Sequence, residues 1–180
     1  MLRIVAGKYK NKKILEPDKN TTRPTTEKVR EAVFSSLHFK MENSECLDLF
    51  SGSGAWTIEA ESRGASKVVA IEKNPSVVKI LKQNINALNC QNINVYNIDA
   101  IAFLNKTSEF FDFIFIDAPF KEFNLVNESL NLISDSKLLK EDGEIIIETD
   151  MAKEIKIPEQ LKIYKQKKHG RIELLYVCWK

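Results

Sequence analysis

The 180-residue sequence is poor in cysteine, glycine and proline, with 3, 6 and 5 of them. It also has no apolar run near the ~20 residues needed to cross a bilayer. Cys46, Cys90 and Cys178 are odd in number, far apart and in no CxxC spacing, so neither a disulfide framework nor a metal site is expected. Cys46 and Cys178 lie in apolar, strand-like runs, where a free thiol behaves as a small buried hydrophobe. The start of the chain, Met1 to Lys8, turns basic too early for the apolar region of a signal peptide. These absences predict a soluble cytoplasmic protein of a reducing compartment, away from membranes.

A dominant charge is lacking too: 27 Lys+Arg face 25 Asp+Glu, a net +2. The balance is local in origin. Residues 1–40 carry ten basic and four acidic side chains (+6), residues 41–150 nine and eighteen (−9), and residues 151–180 eight and three (+5). An acidic middle between basic ends suggests a polyanion partner. The 43% hydrophobic and 29% charged composition excludes a disordered chain, and the length suits one compact domain.

Leu2–Ala6 and Lys13–Leu15 predict a hairpin around a basic turn. Thr25 or Thr26 can cap a helix starting at Glu27, whose Val29, Ala32, Val33 and Leu37 share one face. From residue 45 strands and helices alternate. Strands are expected at Cys46–Phe50, Lys67–Glu72, Ile93–Ile98, Phe111–Asp117 and Gly143–Glu148. Helices are expected from Ala55 to about Arg63, from Pro75 onward, as a turn over Ala100–Asn105, and over Glu122–Ile133. Strands apolar on both faces and separated by helices indicate a parallel sheet covered on both sides. Leu161–Lys167 and Ile172–Trp179, flanking His169-Gly170, read instead as an antiparallel hairpin. The expected class is therefore α/β: a doubly wound, Rossmann-like, mostly parallel sheet with an antiparallel edge hairpin at the C-terminus, and a small N-terminal hairpin and helix extension.

The turn Asp48-Leu49-Phe50-Ser51-Gly52-Ser53-Gly54 leaves a strand directly. Ligands of such sheets bind beyond the carboxyl ends of the strands, and glycines there admit a ligand close to the backbone. The third glycine of the dinucleotide pattern GxGxxG is missing. Asp48 would repel a pyrophosphate and attract a cationic group. Glu72 follows about 20 residues later at the next strand end, where a carboxylate can take both hydroxyls of a ribose. Asp99, before Ala100, ends the third strand within reach of an adenine edge. An adenosine with a positively charged tail fits these groups, which points to S-adenosylmethionine. Asp117-Ala118-Pro119-Phe120 ends the fourth strand. A carboxylate and a backbone carbonyl there can hold the two N–H groups of an exocyclic base amine, and Phe120 can stack a flipped-out base. Trp56, two residues after Gly54, has no explanation in the sequence.

Asp117–Phe120 resembles the (Asp/Asn)-Pro-Pro-(Tyr/Phe) signature of amino-group nucleic-acid methyltransferases, with Ala118 in place of the first proline. The chain as a whole resembles the RsmD-type family of small-subunit (16S) ribosomal RNA guanine-N2 methyltransferases. The resemblance is carried by Arg3–Lys8, Arg23–Thr26 with Val29-Arg30-Glu31, Asp48–Gly54, Ser62–Ala65 and Phe111-Asp112. It implies methylation of a guanine amine in small-subunit rRNA, presented by an assembled particle; a monomer is expected. It implies that Asp48, Phe50, Ser51, Gly52, Ser53, Gly54, Glu72, Lys73, Asp99 and Ala100 hold the cofactor. Asp117 and the Ala118 carbonyl would hold the amine, with Pro119 stiffening the loop and Phe120 against the base. Residues 1–40 would form an RNA-facing extension of a methyltransferase domain at 41–180. On the extension, Arg3, Lys8, Lys10, Lys12, Lys13, Arg23 and Arg30 are candidates for phosphate contacts. Lys165, Lys167, Lys168 and Arg171 are weaker ones. Both basic ends are expected on the rim beside Asp117. The residues alone leave two alternatives open: the same chemistry on an adenine N6 amine, or a non-catalytic ribosome-assembly factor that retains the fold.

Overall fold

The computed structural model describes residues 1–17, 26–119 and 121–180. Expectations for Arg23, Thr25 and Phe120 lie outside the described residues. The chain opens with a two-stranded antiparallel hairpin, β1 (Leu2–Arg3) and β2 (Lys13–Ile14), with Leu2 opposite Ile14. Helix α1 (Glu27–Ser36) follows, capped by the Thr26 hydroxyl, which accepts from the Val29 N–H.

Among the described residues the main sheet has seven strands. They are β3 (Glu45–Asp48), β4 (Lys67–Ile71), β5 (Ile93–Tyr96), β6 (Phe111–Ile116), β7 (Leu139–Thr149), β8 (Leu161–His169) and β9 (Ile172–Trp179). Their order is β5-β4-β3-β6-β7-β9-β8. Strands β3 to β7 run parallel, and β9 is antiparallel to both β7 and β8. The chain lays down β3, β4 and β5 in one direction, then returns to place β6 on the other side of β3. That reversal opens a crevice at the carboxyl ends of the strands, where doubly wound sheets bind ligands.

The crossovers are α2 (Ala55–Ser62), α3 (Pro75–Ala87), α4 (Ala100–Lys106) and α5 (Phe123–Asp135). Pro75 takes the first helical position of α3, behind an Asn74 cap. Consecutive residues of β7 show why the strand is apolar throughout. Ile145 and Ile147 pack with Leu47, Ile114, Leu130 and Ile133 on one face, while Ile146 packs with Val33, Phe34 and Phe115 on the other. All three isoleucines are buried, each worth about 1.5–3 kcal/mol.

Strand β1 is shorter than the expected Leu2–Ala6 for a specific reason. The N–H groups of Val5 and Ala6 donate to the Glu59 carboxylate of α2 and not to a neighbouring strand. The turn beyond is pinned to the last turn of α2: Lys8 N donates to the Ser62 carbonyl at 2.7 Å. Gly7, at φ +81°, approaches so closely that a Cβ there would lie 1.8 Å from the same oxygen. No helix among the described residues is long and apolar enough to cross a membrane.

Candidate active site

A cavity of 280 Å³ lies at the carboxyl ends of the parallel strands. Of the residues expected to hold a cofactor, Phe50, Ser51, Gly52, Ser53, Glu72, Lys73, Asp99 and Ala100 line it. Asp117, Ala118 and Pro119 close the opposite side. Phe120 is outside the described residues.

The loop after β3 is held from both ends. The backbone N–H and the hydroxyl of Ser51 both donate to the Ile71 carbonyl, at 2.9 and 3.0 Å. This ties the loop to the end of β4. Gly54 begins α2 at φ +97°, and a Cβ there would lie 2.5 Å from Leu81 Cδ1. The positive φ calls for glycine, and any Cβ would also have to displace the Leu81 side chain. Gly54 does not itself line the cavity, so its part is to shape the loop.

Glu72 is oriented before any ligand arrives. Its Oε2 accepts from Gly52 N at 3.2 Å and its Oε1 from Asn74 N at 2.7 Å. Two backbone donors on one carboxylate fix its plane across the mouth of the loop. Asp99 combines two roles. Its Oδ1 caps α4 by accepting from Ile101 N and Ala102 N, while the residue lines the cavity.

Asp48 requires a correction. The carboxylate expected to hold the cofactor is completely buried and does not line the cavity. Strand alternation explains it. Leu47 and Leu49 face one core, so Asp48 faces the other way, towards α2, where Oδ2 accepts from the Thr57 hydroxyl at 2.6 Å. Burial pushes its pKa up to about 7; the Thr57 hydrogen bond opposes the shift and the nearby Asp117 charge adds to it. Asp48 supports the loop from behind.

Asp117 is half-buried, and its Oδ2 accepts from the Trp56 indole Nε1 at 3.3 Å. Trp56, on the first turn of α2, lines the cavity, as do Glu148, Thr149 and Asp150 at the end of β7. Sequence reasoning does not single these out as ligand contacts, although their positions at a helix start and a strand end carry the signal. Leu2, Glu16 and Pro17 bring the N-terminal segment to the same wall. Among the described lining residues, Glu72, Asp99, Asp117, Glu148 and Asp150 meet one lysine, Lys73, while Glu16 is paired with the N-terminal ammonium of Met1. The site therefore suits a ligand that is cationic or rich in N–H donors.

The basic residues separate into groups. Arg30, expected to contact phosphate, has no solvent exposure: Nη1 lies 3.0 Å from Glu59 Oε2 and Nη2 donates to the Arg3 carbonyl. Arg3 pairs with Glu27 at 2.9 Å. Lys10, Lys12 and Lys13 are exposed, as is Lys8. Because the Gly7–Lys8 turn is fixed to Ser62, it sits at the end of α2 remote from the cavity, about 12 Å along the helix axis. The expectation that the whole N-terminal block rims Asp117 is thereby corrected. The C-terminal hairpin differs. Thr149 and Lys168 both stand opposite Glu173, so the β8–β9 tip projects at the carboxyl edge. That edge is three strand steps, roughly 14 Å, from Asp117.

The chain matches the family model described as conserved hypothetical protein 95 over residues 2–178. It is 36% identical over 177 residues to ribosomal RNA small subunit methyltransferase D of Buchnera aphidicola subsp. Acyrthosiphon pisum, spanning 97% of this chain and 92% of the relative. It is 32% identical over 172 residues to the Escherichia coli K12 protein of that name, spanning 95% and 86%. The solved structure of Escherichia coli yhhF superposes with a TM-score of 0.90 at 29% identity, over 99% of this chain and 98% of that one. The chain belongs to this family, that of the ribosomal RNA small subunit methyltransferases D.

Proposed function

We propose that this protein transfers a methyl group from S-adenosylmethionine to the exocyclic N2 amine of a guanine in small-subunit (16S) rRNA. The acceptor would be presented by assembled small subunits to a cytoplasmic monomer. The observation that carries this reading is convergence: the Gly52–Glu72 cradle and the Asp117–Pro119 segment open onto one cavity.

The residues present fit such a cofactor. Glu72, already fixed by two backbone donors, is suited to a ribose diol, and Asp99 with Ala100 to the adenine edge. The acidic lining suits the positive tail. S-adenosylmethionine supplies an electrophilic methyl group on a sulfonium. The protein's part is to make a poor nucleophile react. The lone pair of a guanine amine is delocalised into the ring. Asp117 and the Ala118 carbonyl accept its two N–H groups, turning the lone pair towards the donor and excluding other poses. Orientation of this kind supplies several kcal/mol of a barrier. Phe120 offers a stacking face worth roughly 1–3 kcal/mol. Once alkylated, the amine becomes acidic and releases its proton to Asp117 or water, so no further base is needed. Ala118 keeps the carbonyl of the usual proline and loses only its stiffness.

Phosphate contacts come from the exposed lysines of the N-terminal extension and from Lys165, Lys167, Lys168 and Arg171 on the C-terminal hairpin, whose tip stands at the carboxyl edge of the sheet. The reading is tested by methyl transfer from labelled cofactor to small subunits, naked 16S rRNA and duplex DNA. Transfer is expected to the small subunit and to be abolished in Asp117→Ala, with cofactor affinity nearly intact. Transfer to DNA alone, or to nothing, defeats it.

A further inference from the structure

We infer that Trp56 is a positioning residue for Asp117: its indole N–H holds one carboxylate oxygen and so fixes the plane in which Asp117 meets the substrate amine. The catalytic consequence rests on the methyl-transfer reading above; the contact stands without it. Nε1 lies 3.3 Å from Asp117 Oδ2, and the indole is only 3% exposed. Its ring stacks on Phe115 at 5.3 Å and 21°, and lies tilted against Phe34 at 5.6 Å. Phe34 and Phe115 are themselves buried and 5.3 Å apart. Three mutually packed, buried rings restrict the indole that presents this N–H.

The placement gives the contact its purpose. Trp56 sits on the first turn of α2, directly behind the loop that lines one side of the cavity. Phe115, its stacking platform, is two residues before Asp117 on β6. The indole therefore bridges the two sides of the site, fastened to β6 by stacking and to its carboxylate by a hydrogen bond. The torsion that orients a carboxylate is broad and roughly two-fold, so an Asp held only by its backbone presents its oxygens in many planes. An indole N–H is a donor with no acceptor capacity, so it can orient a carboxylate without competing for the substrate's protons. The chain has alanine and not proline at 118, one constraint fewer in the carboxylate's own loop. A side chain that merely walled the cavity would need neither the N–H nor its direction.

Two measurements separate these roles. The full chain has two tryptophans, Trp56 and Trp179, and gives two indole N–H signals in a 15N–1H correlation spectrum, assigned with Trp179→Phe. Asp117→Asn is expected to shift the Trp56 signal and leave the Trp179 signal in place. In parallel, Trp56→Phe keeps a stacking ring and removes the donor. With small subunits as substrate its kcat should fall roughly 10- to 100-fold, while cofactor affinity and KM stay within about threefold. An unmoved Trp56 signal overturns the inference. So does an unchanged kcat, or a loss of kcat matched by lost cofactor affinity. A wild-type protein inactive on every acceptor would defeat the methyl-transfer reading, and the indole signal would still decide the contact.

Discussion

Arg30 and Glu59 form an ion pair at 3.0 Å in which neither side chain meets solvent. Glu59 also accepts from Val5 N, Ala6 N and Arg63 Nε, so one buried carboxylate fastens the segment after β1, α1 and α2 together. Burial lowers the Arg30 pKa, and the Glu59 charge opposes that shift. Removing one partner of such a pair leaves the other charged in a dry site. Arg30→Met is therefore expected to lower stability by about 3–5 kcal/mol in urea denaturation. Pairing it with Glu59→Met should not restore the loss, because the Val5 and Ala6 N–H groups would then lack their acceptor. Recovery of stability in the double variant would show the carboxylate to be dispensable.

This pair also marks where reading the sequence stops. The alternation of strands and helices was legible because covered strands such as Ile145–Ile147 must be apolar on both faces, and because Pro75 and Thr26 mark helix starts locally. The cavity-lining loop and Glu72 were legible for a similar reason, since each follows a strand end. Arg30 and Glu59 are 29 positions apart on two helices, and each reads as a solvated charge until the helices are packed. Helix α2 is buried throughout, so it shows no polar face that would have located them. For Asp48 the signal was present and points away from the cofactor: Leu47 and Leu49 as core residues turn it towards Thr57.

The buried Asp48 carboxyl, with its pKa pushed up to about 7, makes stability depend on pH. Between the ordinary carboxylate range and neutrality the native chain keeps a proton that the unfolded chain has released. Stability therefore falls as pH rises through that interval, by at most about 1.4 kcal/mol per pH unit. Asp48→Asn preserves an acceptor for Thr57 and removes the titration. Its stability should resemble wild type at pH 4 and exceed it at pH 8, as read from urea midpoints. Parallel curves for the two proteins across that range would refute the assignment.

The C-terminal hairpin is expected to grip phosphates. Lysines on an edge strand also discourage edge-to-edge association, and charge reversal retains that protection while repelling RNA. The triple variant Lys167→Glu, Lys168→Glu, Arg171→Glu should raise KM for small subunits and leave cofactor affinity unchanged. The slope of log affinity against log salt should become shallower by about 2–3, at 0.7–0.9 per lost phosphate contact. An unaltered slope would move the RNA interface elsewhere.

The central claim, a guanine N2 amine as acceptor, is tested most directly by the identity of the product nucleoside. Small subunits methylated with labelled S-adenosylmethionine are digested to nucleosides and separated by chromatography with mass detection. The label is predicted to appear in N2-methylguanosine, and to vanish when Asp117→Ala replaces the wild type. Label in N6-methyladenosine would contradict the account.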